Sequence, residues 1–385
     1  MKIAIFTDSF LPGTGGTENA VLQIAKAHVQ NGNSVLVCAP KYWDYVDNFE
    51  FEVARCKSSK VTSNYFNAKP NKSKDFVKKI DDFAPDVIHC HTNGNMLVFA
   101  NRYSKKHNVP LVTTIHTKFS MTIQNDVHSK LITKIACLAI GNWLKHSDEV
   151  CAVSNDMRGE FDKYGYKKPF HMIKNGTPEN PNGYQDITEI AKQKYYLKPT
   201  DNVLLYVGHI AKFKNVDFTF ETLKLLNNEF TNFKMIFAGT IDDKKFVKKV
   251  EKSELKDKVI FTGNILDKSL LKSLYQNAKL FLFPSIFDND SLSIIESASN
   301  RTPSVVRKGT GSSESIVDGE NGFVIENSPK AMATKILHLL NNPKEIEVAG
   351  LNAEKQLNKK WTQTAKEYQA VYNLAIEKRK NKKMQ

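Results

Sequence analysis

The sequence predicts an α/β protein made of two Rossmann-like, doubly wound parallel-sheet domains. Three observations predict it. Short apolar runs alternate with helix-length segments along the whole 385-residue chain. Those runs are continuously apolar, which is how parallel strands buried on both faces read. The alternation breaks once, near the middle, in a stretch rich in Asn, Pro, Gly and Thr, and then restarts. A chain of this length is expected to form two cores of ordinary size rather than one.

The elements follow in order. Ile3–Phe6 is a strand, and a Gly-rich turn spans Pro12–Thr17. A helix then begins near Glu18 with Val21, Ile24, Ala25 and Val29 on one face, and stops at Asn31-Gly32. Strands are expected at Val35–Ala39, Val87–His89, Leu111–Ile115, Val150–Val153 and His171–Ile173, and Met121–Lys145 reads as one helical stretch. Asn175–Asn202 reads as the interdomain linker. Beyond it, Val203–Val207, Lys234–Ala238, Val259–Phe261, Leu280–Phe283, Ser304–Val306 and Gly322–Ile325 are strands separated by helices. A long final helix, Trp361–Lys380, ends in a basic tail. The expected domains are 1–180 and 181–360, with 361–385 as the C-terminal helix and tail.

With 41% hydrophobic and 25% charged residues, the composition is that of a soluble globular protein, not a disordered or fibrous one. No apolar run approaches the ~20 residues of a membrane span, and none near the start reads as a signal peptide. Five scattered cysteines, Cys38, Cys56, Cys90, Cys137 and Cys151, read as reduced core thiols, so a cytoplasmic location is expected. Lys and Arg number 55 against 41 Asp and Glu, a formal net charge of +14. That excess calls for an anionic partner: nucleic acid, an anionic membrane face or a phosphorylated substrate. None of the motifs below points to nucleic acid.

In open parallel sheets, ligands bind outside the carboxyl ends of the strands. After the first strand come Gly15-Gly16-Thr17-Glu18, where glycines at a helix start offer backbone N–H groups to an anion. The spacing is not the dinucleotide fingerprint. His89 and His91 would lie on one face of a strand with no third ligand near them in sequence, so no metal is expected there. His116, just past the next strand, is better placed to hydrogen-bond a ligand. In the second half, His209 ends a strand, and Lys214 near a helix start can neutralise a diphosphate leaving group. Asp288 and Glu296 bracket a turn into a helix, where two carboxylates can accept from sugar and ribose hydroxyls. The amides of Ser291 and Leu292 between them can meet phosphate.

These residues resemble the retaining nucleotide-sugar glycosyltransferases of family 4, which have the GT-B fold. The resemblance runs from about Ile3 to Tyr372 through motifs in the expected order. They are Gly-Gly-Thr-Glu at 15–18, Asp86-Val-Ile-His, Ile115-His116-Thr117, Ala152-Val153-Ser154, Lys174-Asn175-Gly176 and Tyr206-Val207-Gly208 with Lys214-Asn215. Phe237-Ala238-Gly239, Phe283-Pro284-Ser285 and Asp318-Gly319 with Asn321-Gly322 complete the set. The resemblance implies two lobes facing a central cleft, the first holding the acceptor and the second the donor, with the last helix returning to the first. It implies catalysis by His116, Lys214 and Glu296. Gly15, Gly16, His209, Lys214, Asp288, Ser291, Leu292 and Glu296 would bind the donor, and Thr17, His91 and Ser154 the acceptor. It also implies transfer without metal or other cofactor, from a nucleotide sugar expected to be UDP-linked. Two departures stand out. Family members carry Arg where this chain has His209, and Glu where it has Asp288, whose side chain is one methylene shorter.

Within Met121–Lys145, the residues Ile132, Ile135, Leu138, Ala139 and Trp143 mix with Lys130, Lys134 and Lys145. With the tail Lys378–Lys383 they predict peripheral docking on the inner face of a membrane, hence a lipid or lipid-linked saccharide acceptor of the cell envelope. The simpler alternative is that the helix buries this apolar face in the lobe's core. Rival functions are a non-catalytic partner subunit, an epimerase or phosphorylase of the same architecture, and a transferase with a soluble acceptor.

Overall fold

A computed structural model describes all residues except 14, 43–44, 61–65, 178–183, 287 and 384–385. The chain divides into two units, Met1–Glu179 with Lys360–Gln385, and Asn180–Lys359. The expected boundary at 180 falls on residues outside the described set.

The first unit runs β1 (Lys2–Phe6), α1 (Gly16–Gln30), β2 (Ser34–Pro40), β3 (Glu52–Cys56), β4 (Ser58–Lys60), β5 (Phe66–Ala68), α2 (Lys74–Phe83) and β6 (Val87–Cys90). It continues α3 (Asn95–His107), β7 (Leu111–Ile115), α4 (Phe119–Val127), α5 (Lys130–Leu144), β8 (Glu149–Ala152), α6 (Met157–Lys163) and β9 (His171–Met172). Its parallel sheet has the order β3-β2-β1-β6-β7-β8-β9, and β4 pairs antiparallel with β5. Strand order reverses between β1 and β6, which makes their carboxyl ends the switch point where an open sheet takes its ligand.

Two expectations change here. The strands β3, β4 and β5 were not foreseen, because β3 buries Ala54 and Cys56 but leaves Glu52 exposed and so is no continuous apolar run. The stretch 121–145 is two helices, not one. His128 adopts a left-handed φ of 55°, and the Ser129 side chain caps α5 by accepting from the Ile132 amide at 3.4 Å. α5 also runs so close to the end of α6 that a Cβ on Gly141 would lie 1.7 Å from the Tyr164 carbonyl oxygen. Gly141→Ala is therefore expected to destabilise the protein by about 3 kcal/mol, lowering the melting temperature of this unit by roughly 6–12 °C. A calorimetric scan checks this, and an unchanged melting temperature refutes it.

The second unit runs α7 (Thr188–Tyr195), β10 (Asn202–Val207), α8 (Val216–Glu229), β11 (Phe233–Ala238), α9 (Lys244–Glu251), β12 (Val259–Gly263) and α10 (Lys268–Asn277). It continues β13 (Ala278–Phe283), α11 (Leu292–Ser299), β14 (Ser304–Arg307), β15 (Phe323–Ile325), α12 (Pro329–Asn341) and α13 (Pro343–Leu357). The stretch read as linker thus contains the helix α7. The parallel sheet has the order β12-β11-β10-β13-β14-β15 and reverses between β10 and β13. Asp243, Asp267 and Ser328 cap α9, α10 and α12 through their side chains. The glycines ending β10 and β11 touch backbone to backbone: a Cβ on Gly239, where φ is 145°, would lie 2.0 Å from the Gly208 oxygen.

The last helix, α14 (Trp361–Lys383), belongs to the first unit. It lies on α1, where the Asn31 side chain donates to the Thr362 oxygen at 3.0 Å and His28 meets the Tyr372 hydroxyl at 3.1 Å. All five cysteines are buried and unpaired. No described helix is long and apolar enough to cross a membrane.

Candidate functional site

The candidate residues of the second unit gather at its switch point. Lys214 follows β10 and Asp288 follows β13, and the Lys214 ammonium bridges both Asp288 carboxylate oxygens at 2.6 and 2.8 Å. The lysine is thus ion-paired rather than solvated. The Ser312 hydroxyl donates to the Asp288 carbonyl at 3.2 Å, and Gly311 lies against the Asn289 backbone, so the carboxylate's loop is held from behind. His209 lies 2.7 Å from the Asp242 carboxylate. Ser291 is the N-cap of α11, and its carbonyl accepts from Ile294 and Ile295, leaving the amides of Leu292 and Ser293 without an intrahelical partner. One turn on, the half-buried Glu296 accepts from the buried Tyr275 hydroxyl at 3.1 Å. Desolvation pushes the Glu296 carboxyl up to about 7, so it titrates near neutrality.

The candidates of the first unit divide differently. His116, half-buried, lies just past β7 with its Nε2 2.9 Å from His91 Nδ1, and burial lowers its pKa to about 4. It is therefore a neutral imidazole at pH 7. His91 corrects the sequence reading. At 2% exposure, with its Nε2 engaged by His89 Nδ1 at 3.1 Å, it cannot touch an acceptor and instead backs His116. Ser154 is 1% exposed and its hydroxyl is buried without a hydrogen-bond partner. Thr17 lies half-buried in the first turn of α1. The glycine turn departs from expectation too. The Glu18 carboxylate lies against Gly15, 2.4 Å from where a Cβ would be, so an acidic group already stands at the helix start where an anion was expected. Asp8, just past β1, is a brace: it accepts from the Gly94 and Met96 amides at 3.0 and 3.1 Å and from Thr92, tying the loop to α3.

The residues expected to dock on a membrane also separate. On α5, Leu131, Ile132, Ile135 and Leu138 are 69%, 51%, 60% and 48% exposed, while Thr133, Cys137, Ile140, Gly141 and Leu144 face the core. The simpler alternative, that this apolar face is buried in the lobe, holds only for Trp143, which is half-buried against the core, while Ile132, Ile135, Leu138 and Ala139 are exposed. Lys130, Lys134 and Lys145 are exposed beside it. The basic tail is corrected in part. Lys378 pairs with Glu149 at 3.1 Å and Arg379 with Asp148 at 2.8 Å, so both charges are spent inside the unit. The side chains of residues 382 and 383 lie outside the described set.

Sequence reasoning missed three groups. Tyr275 sits within the Glu296 site, and His28 and Tyr372 lie behind His116. Arg307 ends β14 at 8% exposure, with its Nε lacking a hydrogen-bond partner and its guanidinium 5.3 Å from the Phe218 ring. An arginine closing an apolar strand was the available signal for that last one. Among the described residues, no group of three or more His, Cys, Asp or Glu side chains is arranged to hold a metal ion.

Two doubly wound parallel sheets with polar residues past their strand ends are an architecture that takes its ligands at those ends, and the family matches show a glycosyltransferase of the GT-B fold. Residues 14–180 match the family model described as Glycosyltransferase Family 4, and residues 187–356 that of Glycosyl transferases group 1. The chain belongs to this family. It is 25% identical over 380 residues to the alpha-monoglucosyldiacylglycerol synthase of Acholeplasma laidlawii, covering 92% of each chain. Among solved structures, sucrose-phosphate synthase from Thermosynechococcus elongatus superposes with a TM-score of 0.77 at 18% identity, over 97% of this chain and 98% of that one. Anabaena HepE in complex with UDP-glucose does so with a TM-score of 0.74 at 18% identity, over 97% and 99%. These two likenesses concern the fold.

Proposed function

We propose that the protein transfers a hexosyl group from a UDP-sugar, with retention and without metal, to a lipid or lipid-linked saccharide at the cytoplasmic face of an anionic membrane. The observation that carries the acceptor class is the exposed apolar ridge of α5 with lysines beside it. The alpha-monoglucosyldiacylglycerol synthase, a relative by whole-chain likeness, is named for a glycolipid product. The UDP-glucose bound in HepE supports the donor class.

In the reaction, the acceptor hydroxyl oxygen bonds to the anomeric carbon from the face on which the bond to the diphosphate breaks. The hydroxyl proton passes to the departing diphosphate. An ammonium has three N–H donors; Asp288 takes two from Lys214, and the third serves a phosphate oxygen. The first-turn amides of α11 add a preorganised positive end for the developing charge. Glu296 accepts from the ribose hydroxyls, and neutral His116 holds a hydroxyl of the reacting sugar.

Two experiments test this. Saturation-transfer NMR over a panel of nucleotide sugars identifies the donor, and membrane lipid extract then serves as acceptor, with the product anomer assigned by coupling constants. An inverted product, or activity abolished by a chelator, overturns the mechanism; transfer only to water-soluble sugars overturns the acceptor class. His116→Ala is expected to lower kcat while leaving the donor KM within error, because the group acts on the reacting ring. Losing a hydrogen bond of about 1–3 kcal/mol predicts a roughly five- to 150-fold fall. A raised donor KM with unchanged kcat counts against that role.

A further inference from the structure

At the carboxyl end of β14 stands a positive charge without a counter-charge. Arg307 is only 8% exposed, and its buried Nε has no hydrogen-bond partner. Among the described residues, none forms a hydrogen bond or ion pair with its guanidinium, whose neighbour is the Phe218 ring at 5.3 Å. Arginine is almost never buried unless paired, because the hydration it gives up is repaid only in part by an aromatic face. Carboxylates on the elements around it are already held by lysines. Lys249 takes Asp217 and Glu221 of α8 at 2.8 and 3.3 Å. Lys214 takes Asp288 past β13 at 2.6 Å, and Lys308 takes Glu326 past β15 at 2.8 Å. Desolvation accordingly lowers the Arg307 pKa, with no carboxylate offsetting it.

Phe218 is the third residue of α8, so the guanidinium stands beside the positive end of a 14-residue helix. No side chain caps that end: Asn215, the N-cap residue, turns its side-chain amide to the Pro284 carbonyl at 3.3 Å. That bond ties the start of α8 to the end of β13, which pairs with β14. The corner where the three elements meet also buries the hydroxyls of Thr219 and Ser285 without a hydrogen-bond partner. A helix N-terminus and an unpaired guanidinium repel each other unless an anion stands with them. A phosphate suits both, since it can accept two parallel N–H bonds from the guanidinium fork.

We propose that Arg307 and the start of α8 form an anion site that takes a phosphoryl group, which in the transfer reaction belongs to the diphosphate of the nucleotide sugar. Only the assignment to the donor rests on the proposed function; the anion site does not. Lys214 lies two residues before α8 begins, so both cations flank the same helix end. Asp288 cancels the Lys214 charge and occupies two of its three N–H donors. His209 is turned to Asp242 at 2.7 Å. The residues after β10 therefore offer the leaving diphosphate little net positive charge, and Arg307 supplies a full one.

The test uses the full chain with Arg307→Met and Arg307→Lys. Titration calorimetry is run against UDP and against inorganic phosphate, and thermal melting without ligand. Arg307→Met is expected to weaken binding of the phosphoryl probe by roughly tenfold to 150-fold. Arg307→Lys, which keeps the charge but not the fork, is expected to weaken it less. Without ligand, Arg307→Met is expected to melt higher by about 2 °C or more, since it removes a buried charge that has no partner. Phosphate that competes with UDP assigns the site to the donor's diphosphate, and phosphate that binds alongside UDP assigns it to a free phosphate. Wild-type protein that binds phosphate but not UDP keeps the site and overturns the UDP donor alone; protein that binds neither overturns both. A folded Arg307→Met protein with wild-type affinity for both probes overturns the site. So does an Arg307→Met protein that melts no higher than wild type or does not fold, because Arg307 is then a structural cation.

Discussion

Glu296→Ala is expected to abolish detectable transfer and leave the fold intact. Glu296 stands one turn into α11, and desolvation holds its carboxyl near a pKa of about 7. If it accepts from the two ribose hydroxyls, each hydroxyl left without an acceptor costs about 1–3 kcal/mol. Together that is a loss of roughly thirtyfold to twenty-thousandfold in donor affinity. The fold survives because the residue is half-buried and the Tyr275 hydroxyl keeps its hydrogen bond from Ser293. The raised pKa adds a second expectation. Only the ionised carboxyl accepts two hydroxyls, so below pH 7 binding must first expel a proton. Donor affinity is then expected to weaken by up to about tenfold for each pH unit below 7, to level off above it, and to lose this dependence in Glu296→Gln. Titration calorimetry across pH reads both effects. A folded Glu296→Ala protein with wild-type donor affinity removes this residue from the site.

The fold was legible because parallel strands buried on both faces must be largely apolar, and β1, β2, β10, β11, β13 and β15 each carry such a run. It failed at β3, whose pattern of one buried face mixes Glu52 and Arg55 with Ala54 and Cys56. It failed again at His128, where nothing in the residue type demands a left-handed backbone. The site was legible as far as chemistry sits next to strand ends. Lys214 and Asp288 were each picked out, but their ion pair depends on β10 lying beside β13, which sequence order conceals. His91 was misjudged for a related reason. Alternation along a strand tells which residues share a face, but not that Tyr368 and Tyr372, nearly three hundred residues on, cover that face. Histidine looks polar in sequence, and only the covering helix makes His91 a buried residue.

The exposed ridge of α5 is expected to bind anionic vesicles, and Leu131→Glu with Ile135→Glu is expected to end that binding. The two residues are one turn apart on a single helix face, 69% and 60% exposed, so their replacement disturbs no core contact. Burying a leucine or isoleucine fully is worth about 1.5–3 kcal/mol, so these exposed fractions contribute roughly 1–2 kcal/mol each on insertion. Lys130, Lys134 and Lys145 add about 1 kcal/mol each near an anionic surface. Removing two apolar anchors and adding two negative charges therefore predicts a loss of about 3 kcal/mol or more, a hundredfold fall in vesicle partitioning. Flotation with phosphatidylglycerol vesicles reads this directly, with wild-type protein rising at low salt and partly released as salt screens the lysines. An unchanged melting temperature in the double variant separates lost docking from lost folding. Wild-type protein that stays at the bottom of the gradient at low salt ends the membrane reading and moves the acceptor into solution.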